Sequence, residues 1–435
     1  MMTVSAAQPD FASTDSQTGQ RIMSVDVLRG FDMFWIVGAD SLVYALDRMT
    51  QKPATQFLAY QLDHAEWQGF HFYDLIFPLF LFIVGVSLVF SLAKTKPARN
   101  VSVLARIVRR SVLIFLLGIF YSGGLTNPWP DIRLMGVLNR IALAYFFTAL
   151  LFHFFKPRVL VAVSIGLLAG YWALLTFVPI RDVRLTKNDL AALAEKSGDM
   201  EAAKILSAPG NFSAVENSPA WSAAEKLFYS ATHHVTGRFD KGYNLADHLD
   251  FRYLRGRKYD TFFDPEGLLS TLSAIVTCLL GTFAGRLLKN QSISGRDKVI
   301  CLVCSGVVAA LLGWLWHLQM PVIKKIWTPS YVLVAGGYSA ILLGLFYLIV
   351  DVWRIRKWSQ PFLWMGMNSI TIYIAASLVG GFRRPAARLA GGNVSLFFDH
   401  RFANGAGELM VSILGLLLAF WLVHFLYRRK IFLRL

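Results

Sequence analysis

Few stretches of this chain combine an imidazole and carboxylates as closely as His64-Ala65-Glu66-Trp67-Gln68-Gly69 followed by Asp74-Leu75-Ile76-Phe77-Pro78. The first histidine stands just outside an apolar run that continues beyond Leu79–Gly85, and Asp74 sits at the edge of that run. Ionisable groups are expensive at such a depth and mark a ligand or proton site. Neutral imidazole can take a proton near pH 7. His64, His71 and Asp74 share helical spacing, but no Cys or repeated His motif completes a zinc set, and no metal is expected.

Further charged residues sort by depth. Asp26 and Arg29 lie three apart near the start of the first apolar helix, where a helix-end ion pair is the plain reading and anion binding the functional one. Asp40 follows Asp26 by fourteen residues, roughly 21 Å along a helix, which places it at the level of His64. Arg140, Asp264 and Glu266 fall at the same depth, where Arg140 can neutralise an acid or help form a site. Asn368 and Ser369 lie nearer the middle of their helix.

The elements that must hold these groups are membrane helices. The chain is 55% hydrophobic and only 16% charged, with a mean hydropathy of +0.49, too apolar for a soluble globule. Its net charge of +16 does not point to nucleic acid, because Lys and Arg gather in short segments between apolar runs. The fold class is an all-α polytopic membrane protein. About ten spans of roughly 20 residues are predicted near 26–46, 73–93, 108–124, 134–153, 159–179, 267–288, 298–318, 331–351, 361–381 and 408–427.

Residues 1–20 read as a disordered polar tail, 21–179 as a first five-helix group, 180–262 as an outer insertion and 263–435 as a second five-helix group. The insertion should contain short helices, with an Ala/Glu/Lys-rich portion at 189–206. The basic residues place both termini in the cytoplasm and His64 outside. Lys324, Lys325, Arg383, Arg384, Arg388 and Arg401 run against that trend. Cys278, Cys301 and Cys304 read as buried thiols, and Trp314, Trp316 and Trp327 as interface anchors.

Eight pieces in register resemble the heparan-α-glucosaminide N-acetyltransferase family and its bacterial relatives. They are Arg21–Gly30, His64–Gly69, Asp74–Pro78, Gly136–Arg140, Asp264–Gly267, Pro321–Trp327 with Ser330-Tyr331, Gly366–Ser369, and Tyr427–Phe432. The resemblance implies a membrane-embedded acetyltransferase, located in a bacterial inner membrane. Its donor would be cytoplasmic acetyl-CoA and its acceptor an amino sugar or oligosaccharide on the outer side. Besides membrane lipid, a homodimer partner is known in the family.

His64 would be the active-site residue, either as acid/base or as the acetyl acceptor, with Asp74 and Asp40 in support. Asp26, Arg29, Asn368 and Ser369 would meet the donor, whose phosphates suit guanidinium groups. Trp67, Arg140, Asp264 and Glu266 would meet the acceptor. One departure concerns Gly38-Ala39-Asp40-Ser41, where relatives carry an Asn. An ionised Asp cannot donate as Asn does, so either Asp40 is protonated or the acceptor is bound differently. A transporter of an amino sugar is the alternative from another class, and a different acyl donor or an oxygen acceptor is a third reading.

Overall fold

The computed structural model describes residues 22–92, 100–208 and 218–433. The polar tail at 1–20 and the basic residues Lys94, Lys96, Arg99 and Arg434 lie outside them. Seven of the described helices are long and apolar enough to cross a membrane. These comprise Phe72–Leu92, Val137–Phe154, Pro157–Phe177, Thr271–Lys289, Gly295–Trp316, Pro329–Val352 and Ala406–Arg428.

Three further expected spans are helical but interrupted or charged. The first consists of α1 (Met23–Phe34), a wide π turn at Trp35–Ala39 and α2 (Asp40–Thr50). Gly38 makes the break, with φ at 126°, a region that L side chains rarely enter. After α3 (Pro53–Leu62), a tight turn at Phe72–Leu75 leads into α4 (Ile76–Leu92). The third expected span is α5 (Asn100–Tyr121), which carries Arg106, Arg109 and Arg110. It is followed by α6 (Val137–Phe154) and α7 (Pro157–Phe177).

The stretch predicted as an insertion opens with a two-residue strand, β1 (Ile180–Arg181), paired antiparallel with β2 (His234–Val235). Helices α8 (Lys187–Lys196), α9 (Met200–Ser207), α10 (Pro219–Ser230) and α11 (Leu245–Tyr253) complete it. Thr186, Asp199, Ser218 and Asn244 accept hydrogen bonds from the first turns of these helices, satisfying amides that have no intrahelical partner. Trp221, Leu227, Phe228, Phe251, Phe262 and Phe263 form a separate apolar core there.

The second membrane group comprises α12 (Thr271–Lys289), α13 (Gly295–Trp316), α14 (Pro329–Tyr347), α15 (Gln360–Met367), α16 (Ser369–Leu378), α17 (Arg383–Arg401) and α18 (Ala406–Arg428). Asn368 separates α15 from α16 and interrupts the ninth expected span. Helix α17 lies where a loop was expected.

The two groups interlock through small residues. An added Cβ on Gly30 would fall 1.7 Å from the Phe362 carbonyl oxygen, and one on Gly366 would fall 1.8 Å from that of Asp26. Gly85 and Gly281 make the same kind of contact between α4 and α12, at 1.9 Å from the carbonyl oxygens of Cys278 and Phe82 respectively. In lipid, where burial gives little drive for helices to associate, such close approach supplies the packing. Around these crossings Leu79, Phe82, Leu279 and Tyr331 build the main core.

Two expectations are corrected. Trp327 is not an interface anchor: it is 1% exposed and donates its indole N–H to Thr277 at 3.0 Å, because the loop before α14 folds back into the bundle. Cys278 is buried, but Cys301 and Cys304 are exposed on α13, a helix that packs mainly against α14 and leaves its other face to lipid.

Candidate active site

His64 is delivered by the loop after α3, and Asp74 by the tight turn that starts α4. Asp63 ends α3 in an extended conformation, and Gly69 donates its N–H to the Val322 carbonyl at 2.9 Å. The loop is thereby tied to the segment preceding α14. Asp74 Oδ2 accepts the N–H groups of Ala65 (3.2 Å) and His71 (3.1 Å), and the Asp74 carbonyl accepts the Tyr331 hydroxyl at 2.8 Å. The carboxylate is fixed on both sides.

Asp74 Oδ1 lies 2.8 Å from His64 Nδ1. The Asp74 side chain is 1% exposed, whereas that of His64 is 53% exposed. A carboxylate only accepts, so the nitrogen facing it carries the proton, and in a neutral ring Nε2 is the nitrogen with the basic lone pair. Tyr73 packs its ring 5.0 Å from that of His64 and donates its hydroxyl to Asp40 Oδ2 at 3.5 Å. Asp40 therefore stands behind Tyr73, with Oδ1 accepting the Ser41 N–H at 2.7 Å.

A group given no site role from the sequence completes this end. Lys324, in the loop between α13 and α14, places Nζ 3.0 Å from His64 Nδ1 and 3.3 Å from Asp74 Oδ1. Burial pulls its ammonium below the ordinary lysine range, and Asp74 opposes that shift. The signal available was its position, as a lysine pair on the side where basic residues are scarce.

Arg133, also given no site role from the sequence, holds the acidic pair. Its Nε and Nη2 donate to Asp264 at 2.9 and 2.7 Å, and Nη2 reaches Glu266 at 2.7 Å. Burial works against the guanidinium, but Asp264 and Glu266 hold it above its usual value. Glu266 is pushed up to about 7 by burial and by Asp264 beside it. Arg140 is elsewhere: fully buried, bonded to Ser270 and lying 4.8 Å over the Trp327 ring. Trp67 donates its indole N–H to the Phe239 carbonyl at 2.7 Å, joining the His64 loop to the segment that follows β2.

Much of this set lines one cavity of about 810 Å³. His64, Glu66, Trp67, Asp74, Glu266 and Lys324 line one end. Arg29, Ser87, Arg110 and Phe432 line it also; Arg29 lies midway along α1, Ser87 in the second half of α4, Arg110 midway along α5, and Phe432 beyond α18. On α4, Ser87 is thirteen residues beyond Asp74, about 20 Å of helix. Arg29 donates to Ser87 Oγ at 2.6 Å, to the Gly366 carbonyl at 3.3 Å and to Asp26 at 3.2 Å. Asn368, Ser369 and Tyr373 line the wall between the two ends. Asp26, Asp40, Arg140 and Asp264 are not among the lining residues.

Residues 21–190 match the sequence profile described as "Heparan-alpha-glucosaminide N-acetyltransferase, catalytic". Two proteins carrying the name heparan-alpha-glucosaminide N-acetyltransferase align over most of the chain. The mouse protein is 27% identical over 391 residues, covering 85% of this chain and 56% of its own length. The human protein is 28% identical over 333 residues, covering 72% of this chain and 48% of its own. The chain thus spans about half the length of the curated relatives it matches.

Proposed function

Premised on the chain's kinship with the heparan-α-glucosaminide N-acetyltransferase family, we propose that it is a membrane-embedded acetyltransferase. It takes the acetyl group of acetyl-CoA at the Arg29 end, the cytoplasmic side, and delivers it at the His64 end to the amine of an amino sugar on the outer side. The supporting observation is one continuous cavity with guanidinium groups at one end and an imidazole–carboxylate pair at the other. Phosphate-bearing donors suit Arg29 and Arg110. The acetyl thioester would lie past Asn368 and Ser369, toward His64.

A sugar ammonium is not a nucleophile. In direct transfer His64 Nε2 takes one of its protons, the amine nitrogen bonds to the acetyl carbon, and the carbon–sulfur bond breaks. The amide keeps one hydrogen, a second proton neutralises the CoA thiolate, and one is released. In the two-step route, Nε2 first bonds to the acetyl carbon and CoA leaves, and the amine then displaces the imidazole. Either route needs Nε2 unprotonated, and Asp74 serves by holding the proton on Nδ1. The segment 180–262 acts as a cap over the acceptor end, joined to the His64 loop through Trp67 and Phe239.

Purified protein incubated with acetyl-CoA and glucosamine tests this reading. N-acetylglucosamine should form, and His64→Ala should abolish it while leaving acetyl-CoA binding intact. Uptake of amino sugar by proteoliposomes without CoA, unaffected by His64→Ala, would establish the transporter instead.

A further inference from the structure

Lys324 puts a positive charge beside an imidazole–carboxylate pair that already shares a hydrogen bond. Nδ1 of His64 donates its single proton to Asp74, so Lys324 Nζ, 3.0 Å from that nitrogen, cannot donate to it. The ammonium donates instead to Asp74 Oδ1, 3.3 Å away. Its remaining effect on the ring is electrostatic. A unit charge this close disfavours a second positive charge on the imidazole, whereas Asp74 alone favours imidazolium.

Resting on the reading of His64 as the acetyl-transfer residue, we propose that Lys324 is a positioning residue that cancels the pull of Asp74 and keeps His64 neutral at working pH. Asp74 sets the tautomer, and Lys324 sets the charge. A lone carboxylate supplies orientation but also favours imidazolium, the form with no lone pair on Nε2.

The other charged groups around the ring do not substitute for Lys324. Lys325 is engaged by Asp260 at 2.8 Å, and Glu266 is engaged by Arg133 at 2.7 Å. Tyr73 presents its ring to His64 and its hydroxyl to Asp40. Glu66, two residues along the same loop, lines the cavity and adds negative charge, which increases the need for a compensating cation.

The test reads the charge of His64 directly. The full-length protein in detergent is treated with diethyl pyrocarbonate, which modifies neutral imidazole, across pH 5–9, and modification of the His64 peptide is quantified by mass spectrometry. In Lys324→Met the midpoint of the His64 profile should move up by about one pH unit. In Lys324→Arg, which restores the charge, it should stay near that of the unsubstituted protein. The acid limb of the acetylation pH–rate profile should move with it, so activity near pH 6.5 falls more than at pH 8.5. An unmoved or lowered midpoint in Lys324→Met, with the Lys324→Gln variant agreeing, would overturn the proposal. Because the modification profile needs no turnover, failure of the reading of His64 as the acetyl-transfer residue would show separately, as acetylation retained in His64→Ala.

Discussion

Arg29 on α1 donates to Ser87 on α4 at 2.6 Å, and the same α4 begins at the turn that carries Asp74, about 20 Å away. One helix thus links the guanidinium end of the cavity to its imidazole end. Arg29→Ala should weaken acetyl-CoA binding by about tenfold or more, the scale of a lost charge-assisted hydrogen bond. Isothermal titration measures it. Affinity for a CoA-free acetyl thioester should be unchanged.

Asp74 accepts two backbone amides and faces His64 Nδ1, so Asp74→Asn would preserve shape while removing the charge that selects the tautomer. The kcat should fall by about 10²–10⁴-fold, with acetyl-CoA affinity little altered. Single-turnover kinetics with saturating donor separates the two effects.

The ionisable map read from the residues named several groups that the structure brings together, but not their full set of partners. His64 and Asp74 stand out because imidazole and carboxylate are costly beside an apolar run, and the structure brings them together at 2.8 Å. Arg29 read from the residues as a helix-end ion pair with Asp26, and only the family resemblance gave it a donor-binding role. Arg133 and Lys324 did not stand out, because each lies in a loop where a basic residue looks like an ordinary solvated charge. Only chain reversals join Arg133 to Asp264, 131 positions away. Arg140 has the right depth, but helical depth does not say which way a side chain points, and it turns toward Ser270 and Trp327. The broken spans escaped a hydropathy reading because the π turn at Gly38 and the break at Asn368 leave composition unchanged.

Arg133 carries the acidic pair Asp264 and Glu266, and the Asp264 side chain it holds is fully buried. Arg133→Met would leave that carboxylate without its cation, a loss on the order of 3–5 kcal/mol for a buried pair. Thermal unfolding in detergent should show a clear drop in Tm. Arg133→Lys should recover only part of it, because an ammonium cannot reproduce the two parallel bonds to Asp264.

Asp250 on α11 supplies a pH signature. Burial pushes its carboxyl up to about 7, although Oδ1 accepts the Leu268 N–H at 2.9 Å. A folded-state value above the unfolded one near 3.8 means that the folded state binds the proton more tightly. The associated stability is complete below the unfolded value and is lost as pH rises toward and through 7. Asp250→Asn should remove this loss. The difference in Tm between the two proteins should favour the variant increasingly from pH 5 to 7.5 and then level off. A constant difference would place the ordinary carboxylate at Asp250.

Transfer across the membrane is tested most directly by separating donor from acceptor. In sealed proteoliposomes of uniform orientation, acetyl-CoA is supplied only at the Arg29 face and glucosamine only at the His64 face. N-acetylglucosamine should accumulate in the compartment that never contained acetyl-CoA, while CoA appears in the other, and both should cease in His64→Ala. Product forming only when donor and acceptor share one face would contradict transfer through the cavity.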